Sequence, residues 1–189
     1  AYATDYSDAS STNLFDLARR RWSDGILTAL QLDPALLPPA VPSATVIGEV
    51  TPAAATETGL LPGTPVVIGG GDGACATAGA GVVAPGDGYA YVGSSAWLAT
   101  ISREPLYDPA RRTFTFAHLD PQYCFPTGAM QTAGGAYDWL ERLLRGDAGE
   151  PQYRALDALA ASAPPGAGGL IFLPYLIGER SPHWNPHAR

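Results

Sequence analysis

The chain has no lysine: all 11 of its basic residues, among 189, are arginine. That absence excludes, within this chain, a Walker A lysine, a protein-kinase strand lysine and a Schiff-base lysine. Cysteine is scarce too. Cys75 and Cys124 form no CxxC pair, and a reducing cytosol is their simplest setting. No run reaches the roughly 18 apolar residues of a membrane span. The N-terminus lacks a basic stretch followed by an apolar one. Positive charge is short: 18 acids against 11 bases give a net charge of −7. Nucleic acid and anionic membrane are polyanions, so neither suits such a chain. Charged residues are only 15% while hydrophobic ones are 46%, enough for a packed core rather than wholesale disorder. The length fits one large domain or parts of two.

Apolar spacing of three and four through Leu14, Leu17, Ala18 and Trp22, continued by Ile26, Leu27 and Leu30, predicts helix over 11–31. Ser23 or Asp24 is a candidate N-cap for its second piece. Val46 to Val50 reads as a strand. Thr51 then reads as an N-cap and Pro52 as a first helical residue, with the helix stopping at Gly59. Leu61-Pro62-Gly63-Thr64-Pro65 is the best candidate boundary. Val66-Val67-Ile68 carries a buried-strand signal, followed by Gly69-Gly70-Gly71-Asp72-Gly73 and a small-residue helix, Ala74 to Gly81. Strands are expected at Tyr89–Val92 and Ala96–Ile101, around a Gly93-Ser94-Ser95 turn, and at Thr113–His118. Helices are expected at Gln131–Arg145 and Tyr153–Ala161, and a short buried strand at Leu170–Leu173. Hairpins followed by helices indicate α/β with a mixed sheet.

The strand–GGGDG–helix unit is the strongest feature. Glycines let a backbone approach a ligand closely, and the helix N-terminus beside them suits anions. Asp72 sits at a strand end, where α/β sites gather. The plain alternative is that Asp72 only caps the helix. Dinucleotide binding is a rival, since Gly69-x-Gly71-x-x-Ala74 fits the loose fingerprint. Asp72 would then face a pyrophosphate, and the acid expected further on is replaced by Gly93, Ser94 and Ser95. Gly93-Ser94-Ser95 offers N–H groups and hydroxyls to a phosphate, or is a simple turn. A GxSxG elbow fails because position 97 is Trp97. Ala133-Gly134-Gly135-Ala136 opens a helix where a nucleotide, or merely a neighbouring segment, approaches closely. Pro186 separates His183 from His187 and breaks any helix joining them as a metal pair. His118 reads as strand packing.

Together these pieces resemble the FGGY family of carbohydrate kinases. The matching segments are Thr4-Asp5-Tyr6-Ser7-Asp8-Ala9-Ser10, the Gly69–Gly73 loop, Gly79-Ala80-Gly81-Val82, Val92-Gly93-Ser94-Ser95, Ala133-Gly134-Gly135 with Asp138-Trp139-Leu140, and Leu173-Pro174-Tyr175-Leu176 through Gly178-Glu179-Arg180-Ser181-Pro182. Their order and approximate spacing hold across nearly the whole chain. The Asp8-Ala9-Ser10 and GGGDG wording is most similar to xylulokinase-type members, and Trp184-Asn185-Pro186 to gluconokinase-like ones.

The resemblance implies a ribonuclease-H/actin-like sugar kinase fold of two domains around a cleft. Residues 1–62 would end the first domain and residues 63–189 begin the second, the chain being an internal segment of a longer protein and inactive alone. It implies that Asp72 is the catalytic base and, through water, neighbours Mg²⁺, with Gly73 on the sugar side beside Asp5-Tyr6-Ser7-Asp8. Nucleotide contacts would fall on Gly93, Ser94, Gly134 and Asp138; relatives often carry threonine at the Ser94 position and one carries glutamine at the Asp138 position. The implied reaction is ATP-dependent phosphorylation of a sugar primary hydroxyl, with xylulose or a similar pentulose first and gluconate behind it. The implied partners are the sugar and ATP, in the cytoplasm, with no nucleic acid or membrane; a homodimer is allowed. A non-catalytic actin-like nucleotide- or sugar-binding module is the competing class.

Overall fold

The computed structural model describes residues 2–146, 149–150 and 152–188. The strands are β1 (Thr4–Asp5), β2 (Phe15–Asp16), β3 (Arg21–Trp22), β4 (Ala40–Val41), β5 (Val46–Glu49), β6 (Pro65–Val67), β7 (Gly88–Val92), β8 (Ala96–Thr100), β9 (Phe114–Ala117) and β10 (Cys124–Met130). The helices are α1 (Tyr6–Ser11), α2 (Asp24–Leu30), α3 (Pro52–Thr58), α4 (Asp72–Gly79), α5 (Gly134–Arg145) and α6 (Tyr153–Ala161). The largest sheet has the order β7-β8-β10-β9, and β1–β4, β2–β3 and β5–β6 form separate pairs. The β1–β4 pair is parallel and β9–β10 antiparallel, so both pairings occur, but in separate sheets and not in one mixed sheet. Contacts divide the chain into a first unit, 1–89 with 99–127, and a second, 90–98 with 128–189.

In the first unit, local chemistry sets most boundaries. The Thr51 hydroxyl accepts from the Ala54 N–H, Pro52 opens α3, and Gly59 closes it with φ +76°, all as the sequence indicates. The expected helix over 11–31 forms only in its second half, as α2 capped by Ser23. Its first half is the β2–β3 hairpin. Asp16 accepts from the Arg19 N–H in the turn, and Phe15 packs edge-on to Trp22 at 5.7 Å and against Tyr6 at 5.5 Å. The three-and-four spacing of apolar residues is met by a tight turn here. β6 forms as a strand but is exposed along its length rather than buried, because β5 is its only partner among the described residues. β5 and β6 pair antiparallel with Val50 N–H bonded to Thr64 O, so both flanks of the Leu61–Thr64 turn are tied together.

The sequence reading misses β10. Pro126 and Gly128 argue against an inner strand, yet this is the most buried strand of the sheet, with Cys124, Phe125, Pro126 and Thr127 all buried. Phe116 and Phe125 meet across β9–β10 at 5.2 Å. In the second unit, α6 spans the expected residues, and α5 ends at Arg145 as expected but begins at Gly134 instead of Gln131. Buried Glu141 pairs with Arg145 at 2.9 Å and accepts the Gln152 N–H at the start of α6. Leu170 to Leu173, expected as a buried strand, instead runs exposed, Ile171 at 81%. Among the described residues no strand pairs with it, and an apolar run is buried only where a neighbour covers it. No helix of the described residues is long and apolar enough to cross a membrane.

Candidate functional site

The first cluster lies within the first unit and is built on Asp5. Its carboxylate is buried, 3% exposed. It accepts from the Ser7 N–H (2.9 Å), Ser7 Oγ (2.6 Å), the Asp8 N–H (3.0 Å) and Ser43 Oγ (2.6 Å). Asp5 thereby caps α1 and fastens β1 to the segment after β4. A buried charge persists when hydrogen bonds replace its water, and here they do. The Ser7 hydroxyl in turn accepts the Gly71 N–H at 2.8 Å. The motif at residues 4–10 and the glycine loop, distant in sequence, are thus joined directly.

The glycines of the loop are required by closeness. A Cβ on Gly70 would lie 2.2 Å from Leu119 Cδ2 and 3.2 Å from Ser7 Oγ, and one on Gly71 2.7 Å from Asp8 Oδ1. Gly71 is the N-cap of α4 and Asp72 its first residue, so the helix begins earlier than periodicity suggests and Asp72 is not the cap. Asp72 is exposed. Its Oδ1 accepts the Gly73 N–H at 2.7 Å, its one side-chain hydrogen bond among the described residues. Gly73 faces the Phe125 ring, 4.0 Å from where a Cβ would be. Asp8 stands beside them. Its carboxyl is pushed above the ordinary aspartate value, first by burial, then by repulsion from Asp5 and Asp72. The cluster is an exposed carboxylate at a helix N-terminus, a second carboxylate close by, and a third locked beneath.

The second cluster lies within the second unit. Gly93 O accepts the Gly134 N–H at 2.8 Å, and Ser94 O accepts from Ala133 at 2.8 Å and Gly135 at 3.0 Å. The start of α5 is laced to the β7–β8 turn, and a Cβ on Gly134 would lie 2.5 Å from Gly93 O. The N–H groups of Ala133, Gly134 and Gly135 are therefore taken up by the turn. Beside them is a cavity of about 660 Å³ lined by Ser94, Ser95, Gln131, Thr132, Gly135 and Arg180, with Trp139, Leu176 and Ile177 as apolar walls. Gly93 and Gly134, expected as nucleotide contacts, are not among the lining residues; they join the turn to α5. Asp138 is not among the lining residues; its Oδ1 accepts from Tyr153 Oη at 2.6 Å, holding α6 to α5.

Three participants escape sequence reasoning. Ser43 is buried on Asp5 from 38 positions away. Thr132 and Arg180 enter the second cluster through the loop that Glu179 holds. Glu179 Oε1 accepts the N–H of Gln131 (2.6 Å) and of Arg180 (2.7 Å). A buried acid in the Gly178-Glu179-Arg180-Ser181-Pro182 run was the available signal for that link.

Comparison with known proteins gives two family matches. Residues 1–79 match the N-terminal domain, and residues 88–189 the C-terminal domain, of the FGGY family of carbohydrate kinases. The chain is 33% identical over 186 residues to a xylulose kinase of Bacillus subtilis strain 168, covering 98% of this chain and 37% of that protein. It is 31% identical over 195 residues to a gluconokinase of the same organism, covering 100% of this chain and 38% of that protein. The solved structure of ligand-bound xylulose kinase from Lactobacillus acidophilus superposes with a TM-score of 0.89 at 28% identity, covering 99% of this chain and 37% of that one. The chain spans well under half the length of these relatives.

Proposed function

Because the chain belongs to the FGGY family of carbohydrate kinases, with the ribonuclease-H/actin-like fold of its relatives, we propose that the full-length protein transfers the γ-phosphoryl of ATP to a primary hydroxyl of a sugar, with Asp72 as general base. One observation carries the assignment. Asp72 is an exposed carboxylate whose one side-chain hydrogen bond comes from its neighbour Gly73, on a loop pinned in place through Ser7 and Asp5. A base must be within reach of the proton it takes and fixed in position, and an exposed carboxylate on an anchored loop supports that role.

The proposed roles draw on the family resemblance and on this geometry. Asp72 takes the hydroxyl proton as the sugar oxygen attacks phosphorus. Gly73, with no side chain, leaves room for the sugar beside it. The Ser94 hydroxyl serves the phosphates of ATP, and Gly93 and Gly134 let the turn and α5 meet closely enough to place it. The donors suit Mg²⁺ held mainly by ATP. Asp72 and Asp8 offer carboxylates, while no group of three His, Cys, Asp or Glu comes together among the described residues. Such a site fits an ion bound by one or two carboxylates, phosphate oxygens and water. When bound, Mg²⁺ neutralises charge on the transferring phosphoryl group.

Xylulose or a similar pentulose is the proposed substrate, supported by the xylulose kinase relatives. Gluconate is the second reading, supported by gluconokinase relatives of nearly equal identity. We also place the junction between the two domains at residues 80–87, which the family matches leave between them, rather than at the Leu61–Thr64 turn. The free thiols Cys75 and Cys124 support a cytoplasmic setting. The test is Asp72→Asn in the full-length protein, assayed against a panel holding xylulose and gluconate. Turnover is expected to fall by about 10²- to 10⁴-fold, the usual weight of a general base, with ADP binding retained. Turnover equal to wild type would sink the base assignment, and a wild type that phosphorylates no sugar would favour a binding module.

A further inference from the structure

We propose that Arg180 and Thr132 form a phosphate-binding pair in the second cluster, taking oxyanions of the ATP phosphate chain; this rests on the kinase reading above. Both residues line the cavity of about 660 Å³. Thr132 is 6% exposed, and its Oγ1 is buried without a hydrogen-bond partner. Arg180 Nε is likewise buried and unpartnered. The one hydrogen bond its guanidinium makes among the described residues is Nη2 to Met130 O, at 3.5 Å, the outer limit. It joins no ion pair among those residues. Buried donors are nearly always satisfied, and a guanidinium is the costliest to leave bare. Two such donors, on residues that line the same cavity, fit a ligand rich in acceptors.

Charge narrows the ligand. Arg180 is the only basic residue lining the cavity among the described residues, in a chain of net charge −7, so binding a polyanion there depends on it. The other polar groups on the lining include the hydroxyls of Ser94 and Ser95. A guanidinium with neighbouring hydroxyls matches phosphate oxygens rather than a neutral purine or ribose. The neighbouring acid does not compete. Glu179 Oε1 is occupied by the backbone N–H of Gln131 and of Arg180. It fixes the backbone beside both residues and leaves the guanidinium for the ligand.

The experiment measures binding of ADP and of adenosine by calorimetry, with KM for ATP and for the sugar, on the full-length protein. Arg180→Gln is expected to weaken ADP by about 10- to 100-fold, the weight of a charge-assisted hydrogen bond, with adenosine affinity and sugar KM unchanged. Thr132→Val is expected to weaken ADP by roughly 3- to 10-fold, as loss of a neutral hydrogen bond does, and Thr132→Ser to restore it. Unchanged ADP affinity, or ADP and adenosine weakening in parallel, would overturn the assignment. If Arg180→Gln fails to fold, the Thr132 pair decides by the same criteria. A wild type that binds ADP but phosphorylates no sugar defeats the kinase reading and leaves the phosphate pair to these variants. A wild type that binds no ADP defeats both.

Discussion

Gly134→Ala tests whether the lacing of α5 to the β7–β8 turn is a structural requirement. A Cβ at that position would sit 2.5 Å from Gly93 O and 3.2 Å from Gly93 C. Carbon prefers neighbours at about 3.5 Å or beyond, so turn and helix must part by most of an ångström. Both obstructing atoms are backbone, and no side-chain rotation relieves them. The same movement stretches the bonds of Ala133, Gly134 and Gly135 to the turn, now 2.8 to 3.0 Å. Overpacking costs about 1–3 kcal/mol, and each hydrogen bond contributes about 1 kcal/mol net. The alanine recovers at most about 1 kcal/mol of helix propensity. The net expected loss is about 3 kcal/mol, read by urea unfolding of the full-length protein. Gly79→Ala is the control, because Gly79 lies in α4 with no atom within 4 Å of its Cβ position; it is expected to be neutral or stabilising by up to about 1 kcal/mol. A Gly134→Ala protein within about 0.5 kcal/mol of wild type, the range of inert surface changes, would refute the reasoning.

Asp5→Ala should cost at least about 3 kcal/mol in the same assay, since it strands buried donors of Ser7, Asp8 and Ser43, each costing about 1–3 kcal/mol unpaired; Asp5→Asn, which keeps an acceptor oxygen, should fall between. Asp8→Asn should stabilise the protein at neutral pH. The native fold holds a proton at Asp8 more tightly than the unfolded chain does, so that contribution is present below the ordinary value of 3.8 and lost as pH rises through the raised one. The advantage of the variant should therefore vanish in acid, and an advantage constant with pH would contradict it. The Tyr137 hydroxyl donates to Asp157 at 2.6 Å, which pushes its pKa up to about 12. Its phenolate absorbance should appear only near that pH and be missing from the titration of Tyr137→Phe, with the associated stability present below pH 10 and lost as pH rises through about 12.

Local chemistry was legible in the sequence, and partnership was not. Thr51, Pro52 and Gly59 bound α3 because each acts on its own backbone within a few residues. The residue 14–22 segment shows the limit: Phe15 and Trp22 meet across a turn, and their separation of seven matches a helical face as well as a hairpin. Pro126 hid β10, since a proline's missing N–H argues against an inner strand, yet in register with Thr115 it is accommodated. Leu170–Leu173 failed for a different reason, because apolar character states a need for cover and not its supplier. The same division holds at the site. Asp72 and the glycines are visible as a motif, whereas the anchoring of Asp5 by Ser43 and the orphaned donors of Thr132 and Arg180 exist only once distant segments meet.

The crowding of Asp5, Asp8 and Asp72 is itself a design problem with a physical answer. Three carboxylates together repel. Two features offset the repulsion. Asp5 is neutralised in effect by the four donors aimed at it. The N-terminal ends of α1 and α4 also meet there, since the N-cap Gly71 of α4 bonds to Ser7 in the first turn of α1. Each end directs its first N–H groups at a carboxylate, those of Ser7 and Asp8 at Asp5 and that of Gly73 at Asp72, and a helix N-terminus favours a nearby anion by about 0.3–1 kcal/mol when exposed. Asp72 is the first residue of α4, while the Asp8 carboxyl is raised first by burial and then by repulsion from Asp5 and Asp72. Gly70 and Gly71 let the two helix ends come this close, so the glycine loop fixes where the Asp72 carboxylate stands.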